Sequence, residues 1–93
     1  MFEYTIQEKN EVLEKYFESG DKLVLKIFPK KQKQKYLCLL WLMTLFEKDR
    51  FYNEKEINQI LQDVYVDYVM VRRYLIDFGL VHRKKDGSLY WLS

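Results

Sequence analysis

An α+β chain is expected on three grounds. Asp86-Gly87 lies between two extended, apolar-rich flanks and marks a β-hairpin. Upstream, Asn53 with Glu56, and then Asp67, mark two helix starts set close together. From Tyr36 to Phe46 nearly every residue is apolar, the pattern of a helix surrounded by partners. From Phe51 onward the order is a short extended pair, two short helices and a hairpin. That is the layout of a winged helix-turn-helix, here with an added N-terminal helix.

Each element has its own signal. Thr5 to Ser19 reads as the N-terminal helix, with Thr5 and Glu8 as a capping box and Gly20 as the stop. Ile6, Val12, Leu13, Tyr16 and Phe17 supply its apolar positions. Lys22 to Phe28 alternates as KLVLKIF, with Leu23, Leu25 and Ile27 on one face, which predicts a short strand or extended linker. Pro29 then opens a central helix spanning Lys31 to Glu47. Asn53 and Glu56 begin the next helix, in which Ile57, Ile60, Leu61 and Val64 recur at helical spacing. After a sharp corner at Tyr65-Val66, Asp67 caps a helix whose inner face is Tyr68, Val71, Leu75 and Phe78. Gly79 stops it. In the hairpin, Leu80 and His82 are the expected core positions of the first strand. In the second, Leu89 and Trp91 share one face, Tyr90 and Leu92 the other. Both faces are apolar, so packing on more than one side is expected. A type I′ turn is expected at Asp86-Gly87.

With 93 residues, 48% of them hydrophobic, the chain reads as one domain over 1–93 that can form a packed core without staples. Within it, 1–27 is the N-terminal helix and extended segment, and 28–92 is the winged-helix-like core. The one cysteine, Cys38, excludes an internal disulfide and a cysteine-based zinc site, and its apolar neighbours predict a buried thiol. No apolar run is long enough to span a bilayer and no signal peptide is evident, so a cytoplasmic location and no membrane partner are expected. Net charge is +2, but it is unevenly placed: residues 1–20 carry −3, residues 21–49 carry +4 and residues 50–93 carry +1.

Four stretches carry a family resemblance: FPKKQKQK at Phe28–Lys35, RFYNEKEINQIL at Arg50–Leu61, DYVMVRRYLIDFGLVHR at Asp67–Arg83, and DGSLYW at Asp86–Trp91. From Phe28 to Leu92 the chain resembles a bacterial domain of unknown function, the 2087 family, related to the C-terminal halves of some ArsR-like regulators. The resemblance implies a winged-helix-like fold and a link to transcription regulators, and no activity. Where that family has a His near the end of the second helix, this chain has Val64-Tyr65-Val66. No role passes to that position.

Two basic sets are candidate nucleic-acid or anion contacts. Lys30, Lys31, Lys33 and Lys35 open the central helix, where cations oppose the helix dipole. A bound anion would account for them, and so would a solvated face. Arg83, Lys84 and Lys85 sit at the hairpin turn, where a wing contacts backbone or minor groove, or where a turn is simply charged.

The helix from Asp67 to Phe78 argues against base reading. Its outer side offers Val69, Arg73, Ile76 and Asp77, with Met70 nearby, and two Arg balance two Asp. Val69, Met70, Arg73 and Ile76 are therefore a candidate protein interface, with Arg73 also a candidate anion contact. Arg73 and Asp77, four apart, can pair, and Arg72 is expected to pair inward with an acid.

Enzymatic signals are nearly absent. His82 has no nucleophile partner, and three isolated glycines exclude a phosphate-binding glycine loop. No catalytic residue, metal or cofactor is expected. Trp41, Tyr74, Tyr90 and Trp91 read as aromatic core rather than a small-molecule pocket. The sequence thus favours a small regulatory or accessory module that acts by protein association, through a protein partner or a homodimer. The alternative is a weakly sequence-specific DNA-binding protein, and a remote one is a small-ligand-binding domain. A positive face joining the helix at Asp67–Phe78 to the hairpin would favour nucleic acid.

Overall fold

The computed structural model describes residues 2–93. Four helices and a small antiparallel sheet make an α+β chain. The helices are α1 (Ile6–Tyr16), α2 (Gln32–Leu42), α3 (Glu54–Gln62) and α4 (Tyr68–Asp77). A 3-10 turn, Met43–Leu45, follows α2, and the sheet pairs β1 (Val81–Arg83) with β2 (Tyr90–Leu92).

The helix starts follow their local signals. At α1 the Thr5 hydroxyl accepts from the Glu8 N–H, and the Glu8 carboxylate accepts from the Thr5 N–H. Asn53 and Glu56 form the same reciprocal pair at α3. The Asp67 carboxylate accepts from the Met70 N–H at α4. Each satisfies N–H groups that the first turn leaves without a partner.

The ends of α1 and α2 do not follow theirs. The first helix stops at Tyr16, short of Ser19, because Phe17 turns to an extended conformation and bridges Leu25. Both side chains enter the core, and flanking backbone hydrogen bonds run from Glu18 to Val24 and from Lys26 to Tyr16. That burial outweighs one more helical turn. Of the alternating segment, only Leu25 is buried, held by its N–H to the Val64 carbonyl at the end of α3, while Ile27 is exposed. The segment is a bridge rather than a strand.

The central helix likewise ends at Leu42 rather than Glu47. The Thr44 hydroxyl donates to the Trp41 carbonyl at 2.6 Å, which competes with helix continuation, and the chain tightens into the 3-10 turn. Leu37, Cys38, Leu39 and Leu42 are completely or almost completely buried. The first helix, α1, covers part of this one. The Trp41 indole N–H donates to the Lys9 carbonyl at 2.7 Å, the Lys9 ammonium stands 4.5 Å over the Trp41 ring, and Glu8 pairs with Lys33 at 2.7 Å.

The hairpin pairs Val81 with Leu92, His82 with Trp91 and Arg83 with Tyr90. Tyr52, just before α3, adds a single bridge to the other side of Tyr90, with hydrogen bonds in both directions at 2.8 Å. Three details differ from expectation. The turn is not type I′, since Asp86 does not have positive φ. The Gly87 N–H bonds the Lys84 carbonyl, which puts Lys85-Asp86 at the centre of the turn, and Gly87 follows at φ 76°. A four-residue loop built this way is a common alternative. Next, Val81 is buried and His82 exposed, the reverse of the expected pattern for the first strand. Gly79, at φ 73°, closes α4 with the Leu80 N–H on the Leu75 carbonyl, and the strand starts one residue later than the alternation implies. Finally, only one face of the hairpin meets the core, through Val81, Tyr90 and Leu92; Trp91 lies outside the core cluster.

Candidate functional site

Between α4 and the hairpin lies a groove of about 220 Å³. Its walls are Val69, Arg72, Arg73, Ile76 and Asp77 from α4, and Arg83 and Tyr90 from the sheet. Local rules build both walls. The Asp67 cap fixes where α4 begins, so Val69, Arg73, Ile76 and Asp77 fall away from the buried stripe of Val71 and Leu75. The pairing of Arg83 with Tyr90 then turns the Arg83 side chain to the same side as α4.

The three arginines have different tasks. Arg72 points inward. It donates to Asn58, lies 3.3 Å from Glu54 and sits over the Tyr90 ring at 5.9 Å. The inward acid pairing expected for it is present, and it ties α4 to α3 and β2. Arg73 and Arg83 are exposed. The pair expected between Arg73 and Asp77 is not among the ion pairs of the described residues. Asp77 nevertheless stays in the groove, so the wall is not purely cationic. Near the tip, Lys84 and Lys85 are exposed, whereas Asp86 is occupied: its carboxylate accepts from the Ser88 N–H at 2.9 Å, and hydrogen bonding to Ser88 holds its pKa below the ordinary value.

The lysine cluster of α2 does not act as one set. Lys33 is spent on Glu8 of α1, and that hydrogen bond, with the Thr5 cap behind it, lowers the Glu8 pKa. Lys35 donates to the Tyr74 hydroxyl at 3.2 Å and lies over the same ring at 4.6 Å, joining α2 to α4. Of the four, Lys30 and Lys31 are exposed and Lys33 and Lys35 are half-buried. The candidate apolar interface thins in the same way. Val69 is 48% exposed, but Met70 and Ile76 pack against the core.

Two residues that sequence reasoning passed over complete the surroundings. Arg50 stands 4.5 Å over the Tyr52 ring and bridges Glu47 and Glu56, fixing the entry to α3. Phe51 is exposed and meets Trp91 on the outer side of the sheet, with ring centroids 5.6 Å apart. The signal for Phe51 was an aromatic residue next to a predicted extended position. Among the described residues no group of three or more His, Cys, Asp or Glu is placed to hold a metal ion, and no helix is long and apolar enough to cross a membrane.

Residues 24–92 match the model of a family described as an uncharacterized protein conserved in bacteria (DUF2087). No curated protein and no solved structure gives a significant match to the chain.

Proposed function

The chain belongs to this family of uncharacterized bacterial proteins (DUF2087), and from that premise we propose that it is a winged-helix binding module that holds the backbone of duplex DNA in the groove between α4 and the hairpin. The order α2, Tyr52 bridge, α3, α4, β1, β2 supports the winged-helix reading. In it α4 takes the place of the recognition helix and the β1–β2 hairpin that of the wing.

One observation carries the choice of DNA over a protein partner. Arg73 of α4 and Arg83 of the hairpin open into one groove, which joins helix to wing by exposed cations, with Lys85 beyond. Guanidinium groups bind phosphate oxygens in a bidentate fashion. Binding of this kind is weakly sequence-specific, because α4 offers few base-reading side chains: Asp67 is committed to the cap and Arg72 to α3. The groove presents arginines, a tyrosine, one aspartate and two aliphatic side chains, a set suited to binding rather than to bond chemistry.

The test is duplex binding followed by fluorescence anisotropy across a salt series. The wild-type affinity falls steeply with salt. Arg73→Ala with Arg83→Ala lowers both the affinity and the steepness, by about 0.9 in the log–log slope for each phosphate no longer neutralised. Salt-independent binding, or binding untouched by the double change, overturns the proposal.

Protein association, including a homodimer, is the second reading, and half-exposed Val69 favours it. Val69→Glu is the change that separates the two. Ile76 packs against the core, so a charge there would disturb the fold as well. Association abolished by Val69→Glu, with the arginine changes silent, would install the protein reading in place of the DNA one.

A further inference from the structure

The outer face of the sheet carries three aromatic rings in a row. His82 lies opposite Trp91 in the ladder, and Tyr52 bridges Tyr90, so Phe51 falls beside Trp91 on the far side. Phe51 and Trp91 centroids are 5.6 Å apart at 63°, and His82 and Trp91 are 6.0 Å apart at 42°. Phe51 is 60% exposed and His82 is exposed, while Trp91 stands outside the core cluster. The row faces away from the groove, because Arg83 and Tyr90 alternate to the opposite side. Two residues along from His82, Lys84 lies on the ring side and is exposed. The one acid of the turn, Asp86, accepts from the Ser88 N–H and lies within electrostatic reach of Lys84, which a phosphate would share.

We propose that Phe51, His82 and Trp91 form a stacking platform for unpaired nucleobases of single-stranded nucleic acid, with Lys84 beside it for the phosphate. The proposal takes its ligand class from the nucleic-acid reading above, but it uses the other face of the hairpin.

Size decides against the alternative occupant, a second copy of the chain. Strands of three residues are about 10 Å long, and two strands with the Tyr52 bridge beside them, about 5 Å apart, give a face of roughly 100 Å². A stable protein interface needs about 800 Å² from each partner. The row is too small for that and large enough for one or two bases. Stacking on such rings tolerates any base, because every base has a π face. A neighbouring lysine fits this ligand and adds nothing to an apolar contact between identical chains, where it would meet its own copy's charge.

The experiment compares three fluorescein-labelled probes by anisotropy: a short oligothymidylate, an abasic strand of the same length, and a duplex. Oligothymidylate binds more tightly than the abasic strand. Phe51→Ser and Trp91→Ala each weaken oligothymidylate binding by about tenfold and leave the abasic strand and the duplex unchanged. Trp91→Phe keeps most of the affinity. Phe51 is exposed, so its replacement keeps the fold, and far-ultraviolet circular dichroism verifies this for each variant.

Equal affinity for the oligothymidylate and abasic strands, or ring variants that bind oligothymidylate as the wild type does, overturns the platform. So does self-association that vanishes with Phe51→Ser. The groove fails separately: duplex binding indifferent to Arg73→Ala and Arg83→Ala, beside ring-sensitive oligothymidylate binding, removes the groove and leaves the platform standing. No binding of any of the three probes removes both.

Discussion

Trp41 and Lys9 hold each other twice. The Trp41 indole N–H donates to the Lys9 backbone carbonyl at 2.7 Å, and the Lys9 ammonium lies over the same indole at 4.5 Å. One residue from each helix therefore fixes α1 on α2 through its polar and its aromatic character together. Trp41→Phe removes the donor and keeps a ring. It should lower stability by about 1 kcal/mol, the usual net worth of one hydrogen bond, seen as a lower urea midpoint with an unchanged slope. A midpoint equal to wild type would mean that the pair is incidental to the docking of α1.

Arg72 sets the corner between α3 and α4. It reaches Asn58 and Glu54 on α3 and lies over Tyr90 on β2, and its side chain is mostly buried. Arg72→Ala should cost about 1–3 kcal/mol, because hydrogen bonds to a charged group disappear from a partly buried site. Arg72→Lys should recover only part of it, since an ammonium lacks the flat guanidinium face that lies over the Tyr90 ring. Urea denaturation of the two variants gives the comparison; equal stabilities for Lys and Arg would reduce the contact to simple charge.

Acid should loosen α1 before the core. The Glu8 pKa lies below its ordinary value of 4.5, chiefly through the hydrogen bond from Lys33 and then through the Thr5 cap. A carboxylate with a depressed folded pKa contributes stability that is present above the unfolded value and is lost as pH falls through the folded one. Glu8→Gln should therefore be less stable than wild type at neutral pH, and the difference should close as pH drops below 4.5. Thermal melts of both proteins across that range measure it. Persistence of the full difference at the acid end would rule out the Lys33 pairing as its source.

Cys38 should be silent in the folded protein. It is fully buried in α2, and burial pushes its thiol up to about 12. At mildly alkaline pH the thiolate is scarce and shielded, so iodoacetamide should label it only when the chain opens. Labelling should therefore accelerate with added urea, in step with unfolding. Rapid labelling of native protein would contradict the placement of Cys38 in the core.

How much was legible in the sequence follows from the range of each interaction. Thr5, Asn53 and Asp67 cap the helices that they precede, because a cap is made within one turn of chain. Tyr16 and Leu42 end theirs for reasons that come from elsewhere: Leu25 captures Phe17, and Thr44 captures the carbonyl of Trp41. The buried stripe of α4 could be read from spacing alone. The groove could not, because it depends on which strand residue stands opposite which, and a one-residue difference placed Val81 inside instead of His82. The lysine cluster was misleading for the same reason. Glu8 is 25 positions from Lys33 and Tyr74 is 39 from Lys35, so nothing near them in the chain announced the pairing.

The seating of α1 bears on how the chain is cut for study. A fragment reduced to the family-matched span, 24–92, would lose the whole of α1. It would expose the flank of Trp41 that Lys9 covers, and it would release Lys33 from Glu8. Such a fragment would carry new stickiness toward polyanions and toward itself, manufactured by the scissors rather than inherited from the protein. Any polyanion binding or self-association measured on it would include that contribution, and a chain that keeps α1 would not.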